Sequence, residues 1–113
     1  MMERICRLDE LMPLQGCGAL IGGEQVALFL IPHTQQKVFA VQNWDPIGQA
    51  NVISRGIVGD VNGEICVASP LYKQHFKLET GECVEKPEFQ LKTWSVYIDD
   101  GEVYLANSNV AAA

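Results

Sequence analysis

Residues 68–81, Ala-Ser-Pro-Leu-Tyr-Lys-Gln-His-Phe-Lys-Leu-Glu-Thr-Gly, decide the fold of this chain. Pro70 fixes the backbone φ angle just after a short apolar run, which indicates a loop. Phe76 and Leu78 then alternate with polar residues, and this period of two is typical of a half-buried strand. Thr80-Gly81 ends the strand at a turn. The segment therefore predicts a loop that leads into a β-strand.

This segment resembles the second ligand loop of Rieske [2Fe-2S] domains, in which Cys-Pro-x-His is followed by Phe, Leu and Gly at the same order and similar spacing. Ser69 stands at the cysteine position and Tyr72 at the histidine position. A neutral hydroxyl and a phenol do not replace a thiolate and an imidazole on a Rieske iron. The resemblance therefore implies a Rieske-like scaffold without its cluster.

The first ligand loop of the family corresponds to residues 43–48, Asn-Trp-Asp-Pro-Ile-Gly. On this resemblance Asp45 takes the cysteine position and Ile47 the histidine position, so all four ligand positions have changed. Asn62-Gly63 lies between two apolar runs and is a strong hairpin signal. In the family pattern this hairpin joins the two loops, and we therefore expect the loops of Asp45 and Ser69 to meet at one end of the domain.

Short alternating segments separated by turns run through the rest of the chain. Gly22-Gly23 and Asp99-Asp100-Gly101 are turn sequences, and residues 26–31 are apolar enough to be covered on both faces. We expect strands at residues 17–21, 25–31, 37–42, 57–61, 64–68, 76–78, 82–84, 91–98 and 102–105. The pattern predicts an all-β fold of about nine to eleven short strands.

The fold class expected from these patterns and the resemblance is a Rieske-like antiparallel β-sandwich or partly open barrel. Residues 43–78 would form a smaller hairpin-built subdomain inserted into it. A chain of 113 residues has room for one domain. We expect that domain at residues 1–106, and a disordered tail at residues 107–113.

Composition excludes several classes of partner. The chain is 48% hydrophobic with a net charge of -6, and it has no basic patch, which argues against nucleic acid. Its start lacks a continuous apolar signal segment, and the apolar run at residues 26–31 is too short to span a membrane. We therefore expect a cytoplasmic protein without a nucleic-acid or membrane partner.

The residues that commonly carry chemistry have no catalytic or metal-binding spacing here. The four cysteines, at positions 6, 17, 66 and 83, form no Cys-x-x-Cys pair, and none lies within three residues of a histidine. An even count allows two disulfides, whereas reduced, buried thiols fit a cytoplasmic chain better. His33 is interpreted as a solvated loop residue, and His75 should point to solvent because Phe76 points inward. No catalytic, cofactor-binding or metal-ligating residue is predicted.

Nearly the whole chain resembles the small subunits of bacterial NAD(P)H-dependent nitrite reductases. The matching segments are Asp45-Pro46, residues 52–57 and 67–71, and Lys73, Gln74 and Phe76. The resemblance implies a cytoplasmic enzyme that reduces nitrite to ammonium. Its large catalytic subunit would carry FAD, siroheme and iron–sulfur centres, and this chain would be an associated subunit that binds no cofactor.

Two other functions stay open at this point. One is a Rieske-like interaction or regulatory module of another redox complex, because a fold does not determine a function. The other is a Rieske-type ferredoxin that carries electrons, against which the missing ligands count. Visible absorption would separate the ferredoxin from the rest, and co-purification with a siroheme protein would separate the remaining two.

The end of the domain formed by the two loops is the predicted contact with the large subunit. An apolar and aromatic patch with a basic rim on an acidic chain is typical of a protein interface. Its candidate residues are Trp44, Ile47, Arg55, Leu71, Tyr72 and Lys73. The alternative is that Ile47 and Tyr72 fold inward and fill the space of the cluster. Asp45 is expected to accept hydrogen bonds from its own loop or from Ser69, or else to be a solvated loop residue.

Overall fold

The computed structural model describes residues 3–106, and the expected tail at residues 107–113 lies outside them. The described residues form short strands and two single turns of 3₁₀ helix, at Leu8–Glu10 and Ile53–Arg55. The strands are β1 Glu3–Arg7, β2 Gly16–Ile21, β3 Glu24–Leu30, β4 Val38–Gln42, β5 Trp44–Asp45, β6 Ala50–Asn51, β7 Ile57–Val61, β8 Glu64–Ala68, β9 His75–Lys77, β10 Thr93–Trp94, β11 Val96–Asp99 and β12 Glu102–Leu105. Within residues 3–106, neither helix is long and apolar enough to cross a membrane.

The strands pair antiparallel in four sheets, with the orders β10-β4-β3-β2, β1-β12-β11, β7-β8-β9 and β5-β6. None of the sheets among the described residues closes into a barrel. The predicted all-β, partly open Rieske-like fold is confirmed. The strand number exceeds the expected one because β5, β6 and β10 have two residues each, too few for alternation to be recognised.

The four-stranded sheet lies between two apolar cores. On β3, Ala27 and Phe29 face the first core, which also contains Val67 and Phe76 from the sheet of β8 and β9. The intervening residues of β3 and β4 face the second core, which contains Val103 of β12. Successive side chains of a strand point to opposite faces, so a continuously apolar strand must be covered on both sides. The prediction for residues 26–31 is thus confirmed.

Three hairpins turn where the sequence predicts them. Gly22-Gly23, Asn62-Gly63 and Asp100-Gly101 all have positive φ angles and join β2 to β3, β7 to β8 and β11 to β12. A two-residue hairpin turn requires this left-handed backbone, which glycine adopts without steric cost and asparagine or aspartate at low cost. The hairpin between the two loops is therefore specified locally by its sequence.

Two expectations about strands are wrong, and one strand was missed. Residues 91–98 are not one strand, because β10 pairs with β4 and β11 pairs with β12 in another sheet. Trp94, Val96 and Ile98 nevertheless share the second core, so alternation continues across the change of partner at Ser95. Residues 82–84 form only isolated bridges. Strand β1 was not predicted, since its side chains are exposed or only half-buried.

Candidate functional site

Two loops form one end of the domain, which we call the tip: the first tip loop is residues 43–49 and the second is residues 69–74. They are in direct contact. A Cβ atom added to Gly48 would lie 2.4 Å from Cδ1 of Leu71 and 3.1 Å from Oδ2 of Asp45. A larger residue at position 48 would therefore have to displace the Leu71 side chain, which shows how closely the two loops approach. The prediction that the loops of Asp45 and Ser69 meet is confirmed.

The Asp45 carboxylate joins the two tip loops. Its Oδ1 accepts hydrogen bonds from the backbone N–H groups of Ile47, at 2.8 Å, and Gly48, at 3.0 Å. Its Oδ2 accepts a 2.5 Å hydrogen bond from the Ser69 hydroxyl. Both side chains are buried. The expected hydrogen bonds of Asp45 are present and the alternative of a solvated aspartate is wrong, whereas the bracing role stays a prediction.

Ser69 in turn organises the second tip loop. Its hydroxyl oxygen accepts from the Leu71 N–H at 3.3 Å, and its carbonyl accepts from the Lys73 N–H at 3.0 Å. Its own N–H donates to the Gln74 carbonyl at 2.9 Å. The loop is thus a closed turn whose first residue is bonded to the first tip loop.

Asn43 anchors the first tip loop to the central sheet, a role that the sequence interpretation missed. Its Oδ1 accepts the Ser54 N–H at 2.8 Å and its Nδ2 donates to Oε1 of Gln25 at 3.3 Å. Its carbonyl accepts the Ile53 N–H at 3.1 Å. Asn43 is buried, and an asparagine that closes an apolar strand was the available signal. The first tip loop is consequently fixed at its base as well as across to Ser69.

Ile47 and Tyr72 share the same two alternatives in the sequence analysis, partner contact or inward folding, but they lie in different environments. Ile47 is partly buried and packs against the first core. Tyr72 is 65% exposed at the surface. The alternative in which both side chains fold inward therefore describes Ile47, and it is wrong for Tyr72.

Three of the remaining candidate contact residues, Trp44, Leu71 and Lys73, belong to the tip loops, whereas Arg55 lies outside them at the end of the 3₁₀ turn Ile53–Arg55. Trp44 and Leu71 are among the exposed large hydrophobic residues. Arg55 and Lys73 are exposed, and neither forms an ion pair with a described residue. The tip accordingly presents aromatic and apolar surface together with the unpaired ammonium group of Lys73.

The residues at the tip do not fit an iron–sulfur cluster. Both oxygens of Asp45 are engaged by hydrogen-bond donors, Ile47 has no donor atom, and Tyr72 points to the surface. Rieske irons require thiolate and imidazole ligands. Among residues 3–106 no group of three or more His, Cys, Asp or Glu side chains is arranged to hold a metal ion. We derive no chemistry through a cluster on this chain.

The histidines and cysteines lie away from the tip loops' junction. His33 is exposed. His75 is half-exposed as predicted, but its Nδ1 lies 2.6 Å from Oε2 of Glu85, a partner that the sequence interpretation missed. Burial alone would raise the pKa of the Glu85 carboxyl, but hydrogen bonds from the His75 backbone and ring hold that pKa below its usual value.

The four cysteines are free. Burial raises the pKa of the Cys66 thiol to about 11 and also raises the pKa of Cys83. A thiol with a raised pKa stays protonated at neutral pH and is neither a good nucleophile nor a metal ligand. The interpretation of these two cysteines as small apolar core residues is confirmed by their burial.

Comparison with known proteins identifies relatives of this chain. The family model of the Rieske-like [2Fe-2S] domain matches residues 2–106. The nitrite reductase (NADH) small subunit of Salmonella typhimurium is 46% identical over 103 residues, which are 91% of this chain and 94% of that protein. The NMR structure of the Escherichia coli protein NirD superposes with a TM-score of 0.83 at 41% identity, covering 96% of this chain and 99% of that one.

A further relative is much longer than this chain. The nitrite reductase [NAD(P)H] large subunit of Klebsiella oxytoca is 38% identical over 110 residues, which are 97% of this chain but 11% of that protein. In that relative, a domain similar to this whole chain is thus part of the large subunit itself.

Proposed function

Because the chain belongs to the nitrite reductase small subunits of the Rieske-like [2Fe-2S] domain family, we propose that it serves as the small subunit of an NAD(P)H-dependent nitrite reductase, which reduces nitrite to ammonium. It acts as part of an oxidoreductase, bound to the large catalytic subunit, and supplies no catalytic residue of its own. Association with the large subunit is supported by the Klebsiella oxytoca large subunit, because that single chain contains the equivalent domain together with the rest of the enzyme.

We propose that the chain binds no cofactor and that FAD, siroheme and iron–sulfur centres belong to the large subunit. The four changed ligand positions support this proposal, since Asp45, Ile47, Ser69 and Tyr72 provide neither thiolate nor imidazole. The hydrogen bonds between Asp45 and Ser69 support it further, because they hold the two tip loops together without a metal.

We propose the tip as the contact with the large subunit, centred on Trp44, Leu71 and Tyr72 with Arg55 and Lys73 beside them. Exposed aromatic side chains concentrate binding energy at protein interfaces. The cations support an acidic partner surface. Ile47 would support the patch from beneath, since it packs on the first core.

The proposed domain covers residues 1–106, with residues 43–78 as its cluster-loop-like part. The first core supports a single unit, because it contains residues of both the central sheet and the sheet of β8 and β9. The proposed location is the cytoplasm. Four free cysteines support it, since disulfides are rare in that compartment.

Co-expression with the large subunit tests this function. The tagged chain should retain a siroheme-containing large subunit through affinity purification and gel filtration, and the isolated chain should be colourless with no stoichiometric iron. Rieske-type absorption with about two irons per chain would favour the ferredoxin alternative. A colourless chain that never retains the large subunit would instead favour a module of another redox complex.

A further inference from the structure

We propose that a cleft between strands β2 and β7 is a second docking site, and that it receives an extended segment of the large subunit as an added β-strand. This inference rests on the function proposed above. The cleft has a volume of about 360 Å³, and its lining includes Leu14 and Gly16 on one side and Arg55, Ile57 and Val58 on the other. Strand β2 is the edge of the four-stranded sheet and β7 the edge of a three-stranded sheet. At the cleft, β2 is in close backbone contact with Ser54 through Gly16, so the edge that stays open to another strand is that of β7.

The free edge of β7 has unpaired backbone groups. Because a two-residue turn joins β7 to β8, the flanking residues Val61 and Glu64 exchange both backbone hydrogen bonds, and so does every second pair along the strands. Val58 and Asp60 therefore direct their N–H and C=O groups away from β8. Among residues 3–106, no turn or loop hydrogen bond uses these groups. Such an edge is a template for another strand.

Apolar side chains stand at both sides of the cleft. Ile57 is 76% exposed, the largest exposed fraction of any large hydrophobic residue that the structure describes. Leu14 is also exposed, and its φ angle of 65° is left-handed although it is not glycine. Its N–H donates to the Leu30 carbonyl at 2.8 Å, which holds it in this conformation. Strained residues that display an apolar side chain are typical of binding sites.

Charge defines the chemistry of the added strand. Arg55 is the one charged residue that lines the cleft, and it has no ion-pair partner among the described residues although the chain carries a net charge of -6. A segment with an apolar side chain beside Ile57 and a carboxylate facing Arg55 would satisfy both. A second copy of this acidic chain fits less well, because two such copies repel each other.

Binding of this chain to the purified large subunit, measured by calorimetric titration, tests the proposal. Ile57→Ser should raise the dissociation constant about tenfold or more, and Arg55 is left unchanged because it also belongs to the contact proposed at the tip. Leu20→Ser is the matched control, because Leu20 is 69% exposed on β2 but lies outside the cleft. It should leave the dissociation constant unchanged.

Two further measurements test whether the added strand pairs with the backbone of β7. Val58→Pro removes an outward N–H and no bond to β8, so the fold should tolerate it while binding is lost. If that variant does not fold, hydrogen exchange on the wild-type chain still decides. The amides of Val58 and Asp60 should exchange freely in the isolated chain and become protected in the complex.

The outcomes separate the two proposals. A wild-type chain that does not bind the large subunit overturns the proposed function. Normal binding by the cleft variants, with Val58 and Asp60 unprotected in the complex, overturns this inference alone. A dimer of the isolated chain that Ile57→Ser dissociates also overturns it and assigns the cleft to a second copy.

Discussion

The Ser69 hydroxyl donates a 2.5 Å hydrogen bond to Oδ2 of Asp45, and this bond joins two loops that are 24 residues apart in the sequence. In Rieske domains these positions would both hold cysteine ligands of one iron. Here a buried carboxylate and a buried hydroxyl satisfy each other, and the backbone N–H groups of Ile47 and Gly48 complete the carboxylate's set of donors. A hydrogen-bond network thus joins the two tip loops.

Asp45→Ala should lower the free energy of unfolding by about 1–3 kcal/mol, because it leaves three donors without their acceptor. Chemical denaturation of the wild type and the variant measures this difference. Asp60→Ala is the control, since Asp60 is exposed and accepts one hydrogen bond, from the Gly63 N–H at 3.1 Å. Equal small losses for both variants would contradict the bracing role.

Ser69→Ala should cost about 1–3 kcal/mol as well, because it leaves a buried carboxylate oxygen without its donor. The two losses should not add. Once Asp45 is alanine, the Ser69 hydroxyl has lost its acceptor, and a double-mutant cycle should give a coupling energy of about 0.5–3 kcal/mol. Additive losses within about 0.3 kcal/mol would show that the Asp45–Ser69 bond contributes nothing specific.

Local signals in the sequence predicted much of this fold and part of the site. Asn62-Gly63 specifies its hairpin by itself, and the alternation of Phe76 and Leu78 identifies a buried face. The split of residues 91–98 between two sheets was not predictable, because alternation continues across Ser95 while only the pairing partner changes. The choice of pairing partner depends on residues distant in the sequence, and it does not change the alternation of apolar and polar residues along a strand.

The candidate site, like the fold, could be predicted only in part. The resemblance located Asp45 and Ser69, and the need to hold two loops together without a cluster predicted that Asp45 accepts hydrogen bonds from its own loop or from Ser69. Sequence reasoning could not separate Ile47 from Tyr72, since the resemblance assigns both to histidine positions of the family. The surroundings of each side chain depend on the packing of the loops, which only the three-dimensional structure determines.

The Glu85 carboxyl should make stability depend on pH in the acid range. Its pKa in the folded state lies below the ordinary value of 4.5, because hydrogen bonds from His75 outweigh the effect of burial. The stabilisation is therefore fully present above pH 4.5 and is lost as the pH falls through the lower, folded-state pKa. Melting temperatures between about pH 6 and pH 3 should fall less steeply for Glu85→Gln than for the wild type. Parallel curves would contradict a contribution from Glu85.

Thiol reactivity should divide the cysteines into two groups. Cys66 and Cys83 are buried with raised pKa values, so their thiolates are scarce and inaccessible at neutral pH. Cys6 and Cys17 are only half-buried, so exposure and not the pKa separates the two groups, since burial raises the pKa of Cys6 as well. An excess of iodoacetamide on the folded chain should label Cys17 and Cys6 first, and all four cysteines only in denaturant, as peptide mass spectrometry will show. Rapid labelling of Cys83 in the folded chain would contradict the packing of the first core.

Tyr72 and Ile47 should separate binding from stability, because one is exposed and the other packs on the first core. Tyr72→Ala removes an aromatic side chain that has no core to support, so unfolding should be unchanged while the affinity for the large subunit falls about tenfold. Ile47→Ser should do the opposite and lower the free energy of unfolding by about 1–2 kcal/mol through lost apolar contacts. Titration with the large subunit and chemical denaturation of both variants measure the two effects. Leu20→Ser, which lies outside both the tip and the cleft, controls for general loss of exposed apolar surface. If Tyr72→Ala binds normally while Ile57→Ser does not, the tip is not the contact surface and the cleft carries the association by itself.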